Sequence, residues 1–582
     1  MIGTIMNNLW RLAVALPLLL AFFDGAIAVP HKAVESRDII DRLIFAHFMV
    51  GIVEERGSAS DWDADMQAAK AASIDAFALN IGTEQGSLTQ LGYAYQSAAN
   101  NGMKVFISFD CSYWSNDNAA QMSSTIQQYA GSGGQLLVDN RPFVSTFVGD
   151  GLDIGTIKAN SGVNPFFMPN FAPESMTDDC DGLFSWRAWP NNGNPSPPDS
   201  QTNITTSDGD EAYVAALNGK PYMAPVSPWF STHYGQEVSY AKNWVFGNEL
   251  LWYNRWNEVL NLQQQYIELV TWNDYGESHY LGPLNSAHHD DGASKWVNDM
   301  PHDAFLTMAK PYMAAWKANS LDVAPFIKSD SLTYWYRSSV KGVECAATDN
   351  CEKPSPTTND DYFVGKPNGW DLLNDNIFVV ALLTEAGTVT VTSADNEPVS
   401  FQAQQGQNAF EIPFKAGTQK FELTRNGNTV LSGTSLKSID TVCTCGFYNF
   451  NAYAGSLPAS TPASLRSDAY DNFAAGLPSP TCKAQPSLSA SDALTIWRKR
   501  NFSSLSDHIS NLLSLIAIWN VTILRRLVLD PVMWEPHGRG QSRHHLPQSP
   551  GTPGWPCSVF VDTRMLGVVV AAKQVGLVHG SV

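Results

Sequence analysis

The chain has 582 residues, of which 44% are hydrophobic and 16% are charged, so it is neither wholly disordered nor fibrous and can bury a large core. Its 36 Lys and Arg against 56 Asp and Glu give a net charge of −20, which argues against nucleic acid as the main partner. The 18 tryptophans are typical of carbohydrate clefts, because sugar rings stack on indole, but they can equally fill a core.

Residues 1–28 are predicted to be a secretory signal peptide. Arg11 precedes the apolar run 12–23, and the tripeptide 26–28 (AIA) is typical of a cleavage site. The run is too short to span a bilayer, although a membrane anchor is the alternative. We therefore expect a secreted protein, extracellular or in the cell wall, with no membrane contact after cleavage. Secretion permits disulfides among the eight cysteines, of which Cys345 and Cys351 could clip a loop, and N-glycosylation at Asn203.

Residues 38–340 alternate short apolar runs with helical patterns, which predicts an α/β fold, specifically a (β/α)8 TIM barrel. The predicted strands are 43–49, 76–80, 105–110, 143–148, 166–169, 222–227, 267–273 and 332–336. Several of these strands end in or near polar residues, among them His47, Asn80, Asp110 and Asp274. In a barrel such ends meet at one face, where active sites lie.

The pattern changes after the barrel. From about residue 375 short β-branched runs are separated by Gly, Asn and Pro, so 341–455 is predicted to be a β-sandwich domain that either binds glycan or supports the barrel. Residues 456–490 are rich in Ser, Pro and Ala and are predicted to be a linker. The tail 491–582 is of doubtful structure. Because 485–582 carries nine Lys and Arg against five Asp and Glu in an otherwise acidic chain, we hypothesise that it is not part of the evolved fold.

The segment 266–278 (YIELVTWNDYGES) carries the clearest chemical signal. An apolar strand leads to two carboxylates three residues apart, Asp274 and Glu277, with a Gly between them that permits a tight turn. Glycoside hydrolysis needs one protonated carboxyl group and one carboxylate, and like charge beside an indole would raise the pKa of one of them. A solvated acidic turn or a metal site is the alternative.

The chain resembles glycoside hydrolase family 71, the fungal endo-1,3-α-glucanases called mutanases, from about residue 38 to 455. The matching stretches are 46–51 (AHFMVG), 75–82 (DAFALNIG), 105–110 (VFISFD), 143–151 (FVSTFVGDG), 166–171 (FFMPNF), 227–234 (SPWFSTHY), 244–256 (WVFGNELLWYNRW) and 271–278 (TWNDYGES). The resemblance implies a secreted, inverting hydrolase of internal α-1,3-glucosidic bonds, with a barrel followed by β-sandwich structure. It also implies Asp274 and Glu277 as the catalytic carboxylates and Asp110 as a third essential acid. We favour Glu277 as general acid and Asp274 as base, with the reverse open. An inverting pair should lie about 6.5–9.5 Å apart.

Further substrate-binding residues are predicted around this cleft. Each has a structural alternative as a core residue or a turn former. The set is His47, Asn80, Asp150, Trp186, Trp189, Trp229, His233, Trp272 and Trp335.

No cofactor and no metal are expected. The run 288–291 (HHDD) could suggest a metal site but is more typical of a surface loop. The expected partner is α-1,3-glucan, bound by a monomer. A barrel hydrolase of another glycan linkage, or a non-catalytic glycan-binding protein on the same fold, is the competing hypothesis.

Overall fold

The computed structural model describes residues 42–190, 206–247, 249–357 and 362–466. The predicted signal peptide, the site at Asn203, the tail 491–582 and the linker beyond residue 466 lie outside these ranges. Within them, every helix is either too short or too polar to cross a membrane.

Strands and helices in these ranges are numbered in chain order. The strands are β1 (Leu43–Met49), β2 (Ala76–Ile81), β3 (Lys104–Asp110), β4 (Leu137–Val138), β5 (Arg141–Phe147), β6 (Phe166–Met168), β7 (Leu183–Phe184), β8 (Tyr222–Val226), β9 (Ser231–His233), β10 (Asn243–Val245), β11 (Tyr266–Leu269), β12 (Ser331–Arg337), β13 (Asn376–Leu383), β14 (Gly387–Ser393), β15 (Val399–Ala403), β16 (Gly406–Pro413), β17 (Gln419–Arg425), β18 (Asn428–Thr434) and β19 (Ala452–Leu457). The α-helices are α1 (Asp63–Ala71), α2 (Gln85–Asn101), α3 (Ala119–Tyr129), α4 (Ile154–Ser161), α5 (Thr206–Leu217), α6 (Leu251–Leu262), α7 (Ser294–Val297) and α8 (Asp303–Lys317).

The main sheet is parallel, in the order β6-β5-β3-β2-β1-β11-β8-β7, with β4 added antiparallel to β5. The sheet curls, so that its two edges approach each other. Across the gap the Asp181 N–H donates to the Phe167 carbonyl and the Phe184 N–H to the Pro169 carbonyl, each at 2.9 Å. The predicted α/β class is therefore confirmed.

The strands of this sheet are buried on both faces, as parallel strands require. Every residue of β2 and β8 is buried, which explains why both strands are apolar except for Asn80 in β2. Inside the curl, Phe45 packs edge-on against Phe106, with ring centres 5.0 Å apart, and lies 5.3 Å from Phe143. These rings form an apolar layer beneath the carboxyl ends of the strands.

The prediction that 332–336 forms the eighth strand of the barrel is wrong. It lies in β12, which pairs antiparallel with β13 and β19 in a separate sheet. Its burial on both faces made it look like a parallel strand. The eighth parallel strand is instead β7, whose two residues, Leu183 and Phe184, are too short a run to stand out in the sequence.

Two four-stranded antiparallel sheets follow the parallel one, in the orders β16-β13-β12-β19 and β15-β14-β17-β18. Their apolar side chains share one cluster, in which Tyr334 stacks on Phe421 with ring centres 3.9 Å apart. Cys345 forms a disulfide with Cys443 rather than with Cys351, so the predicted loop clip is wrong.

Candidate active site

A pocket of about 460 Å³ lies at the carboxyl ends of the central parallel strands. Segments that follow β1, β2, β3 and β11 reach it, because parallel strands deliver their ends to the same edge of a sheet. The pocket gathers six of the residues predicted from sequence: His47, Asn80, Asp110, Trp186, Asp274 and Glu277.

The backbone after β11 is tied to β1, and this places Asp274. The Trp272 N–H donates to the His47 carbonyl at 2.7 Å, and the Asn273 side chain accepts the Met49 N–H at 2.7 Å. The Asp274 N–H donates to the Thr271 hydroxyl at 2.9 Å, and the Glu277 N–H donates to Asp274 Oδ1 at 3.0 Å. The turn thus holds both carboxyl groups toward the pocket.

Gly276 is required at this turn for space rather than for backbone conformation, because its φ is not positive. A Cβ there would lie 2.2 Å from the Tyr234 hydroxyl oxygen. The close approach of the buried Tyr234 ring explains why residue 276 is a glycine.

Lys242 and His279 act on both carboxyl groups, but the net pKa shifts of the two groups are opposite in direction. Burial alone would raise the pKa of Glu277, but the Lys242 ammonium on Oε1 and the His279 ring, 2.8 Å from Oε2, outweigh burial and lower that pKa to about 2. Burial and the negative charge of Glu277 raise the pKa of Asp274. Glu277 is therefore the carboxylate, and Asp274 is the group that more readily carries a proton.

The two carboxyl groups approach each other closely. One carboxylate oxygen of Asp274, one of Glu277 and a ring nitrogen of His279 all lie within 4.8 Å of one another. The roughly 6.5–9.5 Å expected of an inverting pair refers to the separation of the carboxyl groups rather than of their nearest oxygens, so that expectation stays a prediction.

Asp110 ends β3 in the same pocket. It is 8% exposed, and its Oδ1 accepts the Ser112 N–H at 3.0 Å. Burial raises the pKa of this carboxyl group, although the Ser112 hydrogen bonds and the nearby His47 oppose the shift. Asp110 thus caps the turn after its strand and also presents a carboxyl group to the cavity.

The floor of the pocket contains polar atoms that have no protein partner among the described residues. His47 Nδ1 lies 2.7 Å from Glu268 Oε1, whereas His47 Nε2 and Asn80 Nδ2 are buried and unpaired. Trp186 meets His47 edge-on with ring centres 4.8 Å apart and is 5% exposed. Unpaired buried groups of this kind can bind sugar hydroxyls.

Four tryptophans predicted to bind substrate are buried core residues. Trp229, Trp272 and Trp335 are at most 2% exposed, and Trp189 is 3% exposed. Each indole N–H donates to a protein oxygen: Trp189 to the Trp229 carbonyl, Trp229 to the Phe450 carbonyl, Trp272 to Asp65 Oδ1 and Trp335 to the Glu249 carbonyl. None of the four lines the pocket, so the structure gives them a packing role and does not support substrate binding by them.

Two further predicted ligands lie outside the pocket. Asp150 is exposed and accepts the Ala172 N–H at 2.8 Å, as a turn former does. His233 is 2% exposed between Asn243 and Asp349. Neither side chain can reach a sugar in the pocket as the structure stands.

Several residues of the site were not predicted as ligands. Lys242 and His279 contact Glu277, and Asp290, in the run expected to be a surface loop, lines the pocket, is 3% exposed and has an unpaired Oδ2. Tyr113 and Tyr240 line the mouth and are 60% and 52% exposed. Tyr113 could have been found, since it lies three residues after Asp110.

Two groups of potential metal donors occur in the described ranges, His233 with Asp349 and Cys351, and Asp274 with Glu277 and His279. In the first, both Asp349 oxygens accept backbone N–H groups, from Cys351 and Tyr448. In the second, the Lys242 ammonium already contacts the carboxylate and would repel a cation. We therefore assign neither group as a metal site. The run 288–291 does not form such a group.

Comparison with known proteins agrees with the resemblance. Residues 40–467 match the family model of glycosyl hydrolase family 71. A mutanase of Penicillium rubens is 41% identical over 423 residues, covering 72% of this chain and 89% of the relative. A glucan endo-1,3-alpha-glucosidase of Schizosaccharomyces pombe is 35% identical over 440 residues, covering 72% of this chain and 95% of the relative. Among solved structures, a GH99 endo-alpha-mannosidase from Bacteroides thetaiotaomicron covers 48% of this chain and 98% of its own at 11% identity, with a TM-score of 0.35, too low to support a conclusion. The sequence matches are decisive: this chain belongs to glycosyl hydrolase family 71.

Proposed function

We propose that this enzyme hydrolyses internal α-1,3-glucosidic bonds of α-1,3-glucan. The observation that carries the proposal is the Asp274 and Glu277 pair, whose pKa values are driven apart inside one pocket. Two carboxyl groups in different protonation states are what glycoside hydrolysis needs. The linkage is taken from relatives named as a mutanase and a glucan endo-1,3-alpha-glucosidase, 41% and 35% identical to this chain.

Asp274 is the general acid in this proposal and Glu277 the general base, the reverse of the assignment favoured from sequence. Asp274 gives its proton to the leaving glycosidic oxygen as the C1–O bond breaks. Glu277 accepts a proton from the attacking water, whose hydroxyl forms the new bond to C1. Asp110, His47 and Asn80 bind hydroxyls of the sugar at the reacting position.

Inversion at C1 remains the proposed stereochemistry because the family resemblance implies it. The nearest oxygens of the pair lie within 4.8 Å of each other, and retention is the alternative outcome of the test. NMR of the first product formed decides the question. An α-linked substrate gives a β-anomer at first if the enzyme inverts, and an initial α-anomer refutes inversion.

The exposed rings of Tyr113 and Tyr240 are the proposed sugar-stacking surfaces in place of the buried tryptophans. They reach the pocket from segments that follow β3 and β8, which are separated by β2, β1 and β11 in the sheet. Although their segments are far apart in the sheet order, the two phenols are close enough for Tyr113 to raise the pKa of Tyr240. Aromatic faces at these positions suit a glucan chain that extends beyond the pocket at this part of its mouth.

The architecture proposed around this site is a closed (β/α)8 barrel followed by a β-sandwich. The two hydrogen bonds between the segments of β6 and β7 support closure, and the shared Tyr334 and Phe421 cluster supports the sandwich. Because β12 lies in an antiparallel sheet, the barrel ends before residue 331 rather than at 340. We also propose that residues 1–28 direct secretion and that a linker extends to residue 490. In this proposal the tail beyond the linker is dispensable and the protein is a monomer.

Product release from insoluble α-1,3-glucan tests the proposed function. Starch, dextran and β-1,3-glucan serve as alternative substrates, and Asp274→Asn serves as the matched inactive variant. Short α-1,3 oligomers released by the wild type alone support the proposal. Binding without release from any polymer would instead support a non-catalytic glycan-binding protein, and release from another polymer would change the linkage.

A further inference from the structure

We propose that Lys242 is the positioning residue that holds the charge on Glu277 and thereby decides which carboxyl group is the acid and which is the base. This inference rests on the proposed function of the Asp274 and Glu277 pair. It concerns a residue that acts through Glu277 rather than one that touches the substrate.

The Lys242 ammonium is placed by direct contact with Glu277 Oε1 in the pocket wall. The lysine side chain is 25% exposed and that of Glu277 is 12% exposed, so water screens the ion pair only in part. An opposite charge at contact distance favours the carboxylate form.

The backbone on either side of Lys242 is fixed. The lysine carbonyl accepts the Tyr234 N–H at 2.8 Å, and the next residue, Asn243, pairs with His233 in the β9–β10 hairpin. Asn243 is fully buried, and its Nδ2 donates to the Phe363 and Gly365 carbonyls, each at 2.8 Å. Lys242 therefore lies directly before β10, with its backbone held by hydrogen bonds on both sides.

A buried ion pair anchors the same hairpin. Because the Asn243 amide nitrogen is used on two carbonyls, its Oδ1 faces His233 Nδ1 at 2.7 Å. His233 Nε2 lies 2.8 Å from Asp349 Oδ2, so both ring nitrogens face oxygen acceptors and both carry protons. Burial alone would lower the pKa of His233, but Asp349 outweighs it and raises the pKa well above its ordinary value. This imidazolium ties the lysine-bearing hairpin to the segment around residue 349.

The other titratable groups near Lys242 come from several segments around the pocket. Asp274 and Asp291 add negative charge near the ammonium, Tyr113 adds a phenol, and His279 bonds the second oxygen of Glu277. Among these, Lys242 alone is a permanent cation at the pH of the reaction. Without it, two buried carboxyl groups would compete for one proton, and neither role would be fixed.

Replacement of Lys242 tests the inference through the pH dependence of kcat/KM on α-1,3-gluco-oligosaccharides. Lys242→Met removes the charge at similar length, Lys242→Gln is a second neutral variant in case the first fails to fold, and Lys242→Arg keeps the charge. Loss of the cation makes both carboxyl groups harder to ionise. We therefore expect the acid and alkaline limbs to move upward by about one to three pH units in the neutral variants. The arginine variant should keep the wild-type limbs.

A structural defect alone would lower the plateau of the profile without moving its limbs. Wild-type limbs in both neutral variants would overturn the role of Lys242 while leaving the proposed function intact. Absence of product from wild type and Lys242→Arg alike would instead overturn the proposed function. The thermal midpoint of each variant confirms that folded protein is being compared.

Discussion

Gly276→Ala offers a sensitive test of the catalytic turn because the collision it creates can be measured. A Cβ at this position would lie 2.2 Å from the Tyr234 hydroxyl oxygen and 2.8 and 2.9 Å from two carbons of the ring. The first distance is more than 1 Å shorter than an ordinary contact of about 3.4 Å. The ring cannot retreat easily, since its hydroxyl donates to both oxygens of Asp291 at 2.7 Å and its edge packs on Trp296 at 4.9 Å.

The turn must therefore move, and with it Asp274 and Glu277. Overpacking of this kind costs about 1–3 kcal/mol of unfolding free energy. A displacement of about 1 Å at a catalytic group lowers kcat/KM by roughly 10²-fold. We expect both effects in Gly276→Ala, measured by denaturant unfolding and by product release.

Two controls make this prediction specific. Gly131→Ala adds the same methyl group where no atom lies within 4 Å, and it should leave both quantities unchanged. Tyr234→Phe removes the nearest atom, so adding it to Gly276→Ala should restore part of the stability and activity. If Gly276→Ala has wild-type stability and kcat/KM, the close approach of Tyr234 does not constrain the turn and the reasoning fails.

Further predictions concern the roles of individual residues. Asp274→Asn should lower kcat by about 10²–10⁴-fold with little change in glucan binding, and an active variant would exclude Asp274 as the acid. Tyr113→Ala should raise KM for oligosaccharides about three- to tenfold while Tyr113→Phe does not, and equal KM values would rule out stacking. Trp335→Ala should cost about 3–5 kcal/mol of stability yet leave kcat/KM of the folded fraction intact, whereas a specific loss of activity would return Trp335 to the cleft. Because the pKa of Glu277 is lowered from 4.5 to about 2 on folding, its ion pair stabilises the fold above about pH 4.5, and this stability is lost as the pH falls toward 2. Urea unfolding should show this loss in the wild type and a smaller one in Lys242→Met.

The carboxylates of the site could be predicted because their placement follows from local pattern and sheet direction. Asp110 ends a buried strand, and Asp274 follows another at a distance of five residues. Parallel strands direct such ends to one edge, so the two residues meet although they are far apart in the chain. The same logic placed His47 and Asn80, since each lies near the end of a neighbouring strand.

Strand partners could not be predicted in the same way. The apolar run 332–336 looks like a parallel strand because both faces are buried, and only its pairing with β13 and β19 shows that it is antiparallel. β7 contains two residues, which is below the length at which periodicity carries information. Pairing depends on residues far away in the chain, and burial alone does not specify it.

The sequence also does not show which tryptophans face the cleft and which lie in the core. Indole is amphipathic, so a Trp can either face sugar or bury its ring and donate its N–H to a carbonyl. Trp229 and Trp335 do the latter, with bonds to Phe450 and Glu249 that connect residues 221 and 86 positions apart. The exposed rings at the pocket are tyrosines, which composition gave no reason to prefer.

The assignment of acid and base depends on residues outside the segment that carries the two carboxylates. From sequence, a neighbouring carboxylate and an indole are expected to raise the pKa of one of the two carboxyl groups, and Glu277 is favoured as the acid with the reverse open. The structure brings in Lys242, 35 residues upstream, and His279, two residues downstream, which together outweigh that effect. The local turn supplies two carboxyl groups, Asp274 and Glu277, and orients both toward the pocket. The hairpin that carries Lys242 decides which of them is ionised, so the chemistry of the motif is set by an element outside it.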